Sequence, residues 1–225
     1  MKSEIRNKYL SRVRFNRYLS ATANNSKRAE RLYNANIRLS QAFHPILSQF
    51  EVVFRNGINN VLSTYFTDNE WIINQKNGFM NDTSVRPKLY LRKCVEKTER
   101  MLSDRHIPPT SGKIISDQTF GFWTAFFSTP YYPLVGGRPI QVFAHKPAAE
   151  NRSSIFQKLE DIRMLRNRIN HCEPICFNNH HIDCTNVLSV RNSIIDLASW
   201  IDPELTPFFK KIDNTQNKIN QILTI

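Results

Sequence analysis

Arg166, Asn167, Arg168, Asn170 and His171 fall within six consecutive residues and supply guanidinium forks, carboxamides and a titratable imidazole. Groups of these types can cleave RNA without a metal. A histidine can take the 2′-hydroxyl proton or protonate the leaving 5′-oxygen. An arginine fork can stabilise the charge that builds on a phosphorane-like transition state. An amide such as Asn167 both donates and accepts, so it can orient the imidazole or the arginine. The sequence does not assign His171 as base rather than acid. It also leaves open a structural use of the same residues, as an Arg–Asn network bonding loop carbonyls with His171 as a helix cap.

Helical geometry says which of these groups share a face. With Arg166 as origin and 100° per residue, Asn170 falls at about 40°, Arg163 at about 60°, Asn167 at about 100° and His171 at about 140°. Ile155, Ile162, Leu165 and Ile169 gather on the other side as an apolar stripe that would anchor the helix. Leu159 and Phe156 intrude on the polar arc one or two turns earlier, so the polar patch is confined to the last two turns. The helix is expected from about Ser154 to Cys172, with Pro174 stopping it. Arg166, Asn167 and His171 form the expected catalytic set; Arg163, Arg168 and Asn170 are expected RNA contacts. A partial echo, Arg55-Asn56-Gly57-Ile58-Asn59-Asn60, matches the 166–171 hexamer in four of six positions. Chance or distant duplication could explain it, and Arg55 and Asn56 join the candidate RNA contacts. One helix end offers one histidine, whereas general acid and base are usually two groups. Pairing two chains about a dyad would supply the second.

The elements that must hold this constellation read as helices. Phe50, Val53, Phe54, Ile58, Val61 and Leu62 follow Pro45 at three- and four-residue steps, the mark of a core helix. Pro45 suits the first turn of that helix, or a kink. An earlier helix is expected to open at Ser26 as N-cap, after a break at Ala23-Asn24-Asn25. Asn69 to Ser84 reads as an irregular connection, Pro87 to Leu102 as a weaker helix. Thr110 or Ser111 opens a helix carrying Phe120, Phe122, Trp123, Phe126 and Phe127, aromatics that most often mean buried packing. The Pro- and Gly-containing stretch Pro130 to Pro147 is a long loop with a possible short strand at Ile140 to Phe143. Further helices are expected at Asn186 to Ile201 and within Pro203 to Ile225. The fold class is therefore all-α, with residues 1–25 as a basic arm and 26–225 as the helical domain.

The chain has 225 residues and carries 31 lysines and arginines against 19 aspartates and glutamates, a formal charge of +12. Such a surface attracts polyanions, and RNA is the partner it favours. The arm could bind RNA, or pack on the bundle through Leu10, Phe15 and Leu19. No apolar run is long enough for a membrane helix, and the alternation of basic and apolar residues in Met1 to Ser20 does not read as a secretory signal. Four scattered cysteines suit thiols in a reducing cytoplasm. His171, Cys172, Cys176, His180, His181 and Cys184 crowd together, but without a CxxC pair they argue only weakly for zinc, which would make this a binding module. No metal or other cofactor is expected.

The string Ile162 to His171, continuing through Glu173-Pro174-Ile175-Cys176-Phe177, resembles the Abi-like (abortive infection) proteins of the HEPN superfamily. Their signature is an arginine, a polar residue that is often Asn, and a histidine four to six residues after the arginine. Ala29-Glu30-Arg31-Leu32-Tyr33, Asn36-Ile37-Arg38-Leu39-Ser40, Gln118-Thr119-Phe120-Gly121-Phe122-Trp123 and Trp200-Ile201-Asp202 are similar too, so the likeness runs from about residue 15 to 213. It implies an HEPN-like helical bundle, commonly a homodimer with composite sites, and a metal-independent endoribonuclease used in phage defence or as a toxin. The alternative is a non-catalytic HEPN module that binds RNA or protein. Arg166, Asn167 and His171 match the motif position by position. A cognate inhibitor, protein or RNA, would fit a toxin. The tyrosine typical of HEPN toxins silenced by a nucleotidyltransferase is here Glu173, and Cys172 stands where a polar residue is expected.

Overall fold

A computed structural model describes residues 3–225. The chain is predominantly helical. In order it forms α1 (Ser3–Tyr9), α2 (Arg12–Ala21), α3 (Ser26–Phe66), α4 (Trp71–Asn74), α5 (Tyr90–Asp104), α6 (Ser111–Asp117), α7 (Phe120–Thr124), α8 (Arg152–Asn170), α9 (Thr185–Ile201), α10 (Leu205–Ile212) and α11 (Thr215–Leu223). The strands among the described residues are β1 (Phe177–Asn178) and β2 (His181–Ile182), an antiparallel hairpin pairing Phe177 with Ile182 and Asn178 with His181. No helix is long and apolar enough to cross a membrane, among the described residues.

The chain divides into two compact units. The first combines residues 3–48 with Met164–Ile195 and Pro207–Ile225, and the second combines Gln49–Arg163 with Asp196–Thr206. In the first, Phe15 and Tyr18 of α2 are buried. Tyr18 meets Tyr33 and Phe177 edge-on, each at 5.2 Å between ring centres. Arg17 lies 4.8 Å over the Phe177 ring and donates to the Asn179 carbonyl at 2.6 Å, which ties the hairpin to α2. The basic N-terminal segment is thus built into this unit by its aromatics, and the boundary expected at residue 25 marks only the turn between α2 and α3. In the second unit Phe54 has Phe50, Phe120, Phe127 and Phe143 around it at 5.8 to 6.0 Å. Trp71, Trp123 and Phe126 are fully buried beside them, so the aromatic run is core, as its composition suggested.

Four local expectations give way to the packing. Pro45 does not start a helix but sits inside the 41-residue α3. An interior proline costs roughly 3 kcal/mol, yet Leu39, Phe43, Ile46, Leu47 and Phe50 are all buried on either side of it. At roughly 1.5–3 kcal/mol for each such side chain, their burial outweighs that cost. Asn25 rather than Ser26 caps α3, its Oδ1 accepting from the Arg28 amide at 3.1 Å. The helix expected after Thr110 breaks into α6 and α7, because buried Gln118 donates its side-chain amide to the Ile114 carbonyl at 3.2 Å, where a backbone N–H would have continued the helix. The strand expected at Ile140 to Phe143 is instead a 3-10 turn, Arg138–Val142. Pro139 lacks the ladder donor and Gly136 and Gly137 take positive φ, which suits a tight turn.

Candidate active site

The helix that carries the candidate site begins with a reciprocal cap. Asn151 Oδ1 accepts from the amides of Ser153 and Ser154 at 2.8 and 3.1 Å, and Ser154 Oγ accepts from the Asn151 amide at 3.0 Å. Ile155, Leu159, Ile162 and Leu165 are buried, so Leu159 belongs to the anchoring stripe rather than to the polar arc.

The far end of α8 falls at Asn170, two residues before the expected Cys172, and closes with a left-handed cap. Cys172 has φ 55°. Its amide donates to the Ile169 carbonyl at 2.9 Å, and the next amide, Glu173, reaches back to the Arg168 carbonyl at 2.8 Å. This pair of bonds usually surrounds a glycine. His171 is therefore the last residue before the chain turns away, its own amide still bonded to the Asn167 carbonyl at 2.9 Å. Asn167, Asn170 and His171 are exposed, and Arg166 is half-buried.

Arg168, Arg163 and Arg55 each have partners within the fold. Arg168 donates to the Pro174 carbonyl and pairs with Glu173, Nε to Oε2 at 3.4 Å. It thus locks the turn that follows His171. Arg163 belongs to the second unit, where Glu160 on the preceding turn grips it bidentately, Nε at 2.9 Å and Nη2 at 2.6 Å. Those hydrogen bonds push its already high pKa further up. Thr124 donates to the same carboxylate at 3.2 Å. Arg55 and Asn56 also lie in the second unit. Arg55 donates to the Ser116 carbonyl at 3.3 Å, and in the same echo Asn59 accepts from the Trp71 indole at 2.9 Å. With Ile58 fully buried, three of the four residues shared with the hexamer thus serve the packing of that unit.

The structure therefore brings Arg166, Asn167, Asn170 and His171 together on the last turns of α8, in one unit with the Arg168–Glu173 clamp. Sequence reasoning missed the Glu160 partner of Arg163, although a Glu-x-x-Arg spacing on a helix announces it. It also missed a cleft on another face of the α8 end, lined by residues of α2 and α3. Its signal was the recurrence of Tyr33, Ile37, Gln41 and His44 at helical steps.

In the Cys/His-rich segment, burial pushes the Cys176 thiol up to about 12 and the Cys184 thiol up to about 11. His180 and His181 are exposed on the hairpin. Among the described residues no three His, Cys, Asp or Glu side chains gather as a metal site.

No protein-family model, curated protein or solved structure matches the chain.

Proposed function

We propose that the chain is a metal-independent endoribonuclease of the HEPN type, with Arg166, Asn167 and His171 as its working groups. The observation that carries this reading is the end of α8. Asn167 and His171 reach solvent on one turn with Arg166, while the neighbouring Arg168 is drawn into the following loop and fixes the turn's geometry. In the reaction the 2′-oxygen bonds to phosphorus as its proton leaves to a base. The bond from phosphorus to the 5′-oxygen breaks, and that oxygen takes a proton from an acid. The products are a 2′,3′-cyclic phosphate and a 5′-hydroxyl. His171 serves as one of the two proton-transfer groups. Arg166 steadies the charge on the phosphoryl oxygens, and Asn167 orients its neighbours. A homodimer presenting two copies of the α8 end supplies the second imidazole. A net charge of +12 favours RNA as substrate. Such an activity suits phage defence by abortive infection, or a toxin held in check by a cognate inhibitor.

A second reading, a non-catalytic HEPN module that binds RNA or protein, draws on the same Arg168 contacts. They show that one arginine of the hexamer already has a structural task. Incubating the purified protein with total RNA and EDTA separates the two. Fragments ending in 2′,3′-cyclic phosphate, formed at an unchanged rate, support the nuclease. Intact RNA with and without divalent metal supports the binding module, and EDTA-sensitive cleavage leaving 3′-hydroxyl ends rejects this mechanism.

A further inference from the structure

A cleft of about 400 Å³ opens in the first unit beside the C-terminal turn of α8. Ile169 and Cys172 form one edge of it. Ile169 lies roughly 160° around the helix from His171, so this edge of the cleft is on a different face of α8 from His171. The main wall is the α3 face that carries Tyr33, Gln41 and His44, and Arg14 of α2 stands across from it.

The chemistry of this lining is mixed in a particular way. Tyr33 is half-buried, and its ring is held edge-on by buried Tyr18 at 5.2 Å, which fixes an aromatic surface in the wall. Arg14 is exposed and no carboxylate pairs with it among the described residues. His44 is exposed on the same cleft and adds a second group able to meet an anion. Between the ring and these groups, Gln41 offers a donor and an acceptor. Pro45, one residue beyond His44, has no N–H, so the Gln41 carbonyl loses its usual helical partner and that turn gains a further acceptor. A flat apolar ring at one place, uncompensated positive charge at another and an amide between them match a base joined to a phosphate. The volume also lies within the ordinary range for small-molecule sites.

We propose that this cleft binds a nucleotide, with its base against Tyr33, the base edge at Gln41, and the phosphate at Arg14 and His44. The nucleotide can belong to an RNA strand or be a free mononucleotide. The proposal concerns a different face of α8 from His171 and does not rest on the cleavage chemistry.

The protein carries its own reporter. Cys172 is exposed at the cleft edge, Cys176 and Cys184 are buried with thiols pushed well up, and half-buried Cys94 is also raised. Iodoacetamide near pH 8 therefore alkylates Cys172 first, which peptide mass mapping verifies. The measurement is that rate in the full-length His171→Ala chain, chosen to slow any cleavage of the oligonucleotide, with AMP, UMP, inorganic phosphate or a four-residue RNA added. A bound nucleotide slows alkylation in proportion to occupancy, about tenfold at ten times its Kd. Arg14→Ala and His44→Gln, both at exposed positions, should each weaken the protection by AMP about tenfold at unchanged Tm, since each removes a charge-assisted hydrogen bond to the phosphate. Protection by the four-residue RNA far below the concentration needed for AMP identifies a strand as the source. Protection by AMP at least as strong identifies a free nucleotide. No slowing by AMP, UMP or the RNA overturns the proposal. So does slowing that survives both substitutions, or that inorganic phosphate reproduces in full. Because the readout is alkylation, failure of the nuclease assay leaves this result standing.

Discussion

At the scale of single residues, His171 owes its position to a neighbour with no part in the proposed chemistry. Cys172 holds a φ of 55° so that the chain can turn directly after His171, a conformation that costs a residue with a Cβ roughly 1–2 kcal/mol. Cys172→Gly should relieve that strain and raise the thermal midpoint by about 2–4 °C, as roughly 1 kcal/mol does in a chain of this size. An unchanged or lower midpoint would mean that the thiol's own packing is worth as much as the strain. His171→Ala should leave the fold intact, since the side chain is exposed, while cleavage of RNA falls by about 10²-fold or more. Circular dichroism with a rate assay checks both halves of that expectation.

At the scale of elements, α2 joins packing and charge in one helix. Its inner side buries Phe15 and Tyr18, and its outer side exposes Arg12 and Arg14. Deleting Met1–Ser20 should therefore destabilise the first unit, which makes truncation a poor test of RNA binding. Lys8→Gln with Arg12→Gln changes exposed charges only. RNA affinity should drop, and the salt dependence should flatten by about 0.7 in log–log slope for each phosphate no longer neutralised. An unaltered slope in a filter-binding titration would place the RNA elsewhere. The helices were legible where apolar periodicity ran unbroken, as through Phe50 to Leu62 and Ile155 to Leu165. They were illegible where one distant side chain decided a boundary. Gln118 ends α6 through its own amide, and Pro45 is carried inside α3 by side chains that the whole unit buries. The same holds at the candidate site. The turn of Arg166, Asn167 and His171 could be read from spacing, whereas the fate of Arg168 depended on where the Pro174 carbonyl would lie.

At the scale of the whole molecule, two buried thiols give stability a dependence on pH. Cys176 and Cys184 are pushed from an ordinary value near 9 up to about 12 and about 11 by burial. Because the folded values are the higher, the stabilisation is complete below about pH 9 and is lost as pH rises from there through 11 to 12. The thermal midpoint should fall over that range, and Cys176→Ala should flatten the fall relative to the parent chain. Assembly is tested by mixing. Arg166→Ala and His171→Ala proteins, each inactive alone, should regain activity together if the site draws on both copies of a dimer. Full activity in a chain that sedimentation shows to be monomeric would exclude the composite site.

The first unit, which holds His171, is assembled from three separate stretches, the last beginning at Pro207. Phe209, Ile219 and Ile222 of that stretch are buried. During synthesis α8 leaves the ribosome well before α10 and α11 exist to complete the packing of the unit that holds its final turn. The packing of the unit that holds this turn is therefore completed only once that stretch has been made. The last turn of α8 thus gains its full surroundings later in synthesis than its own residues.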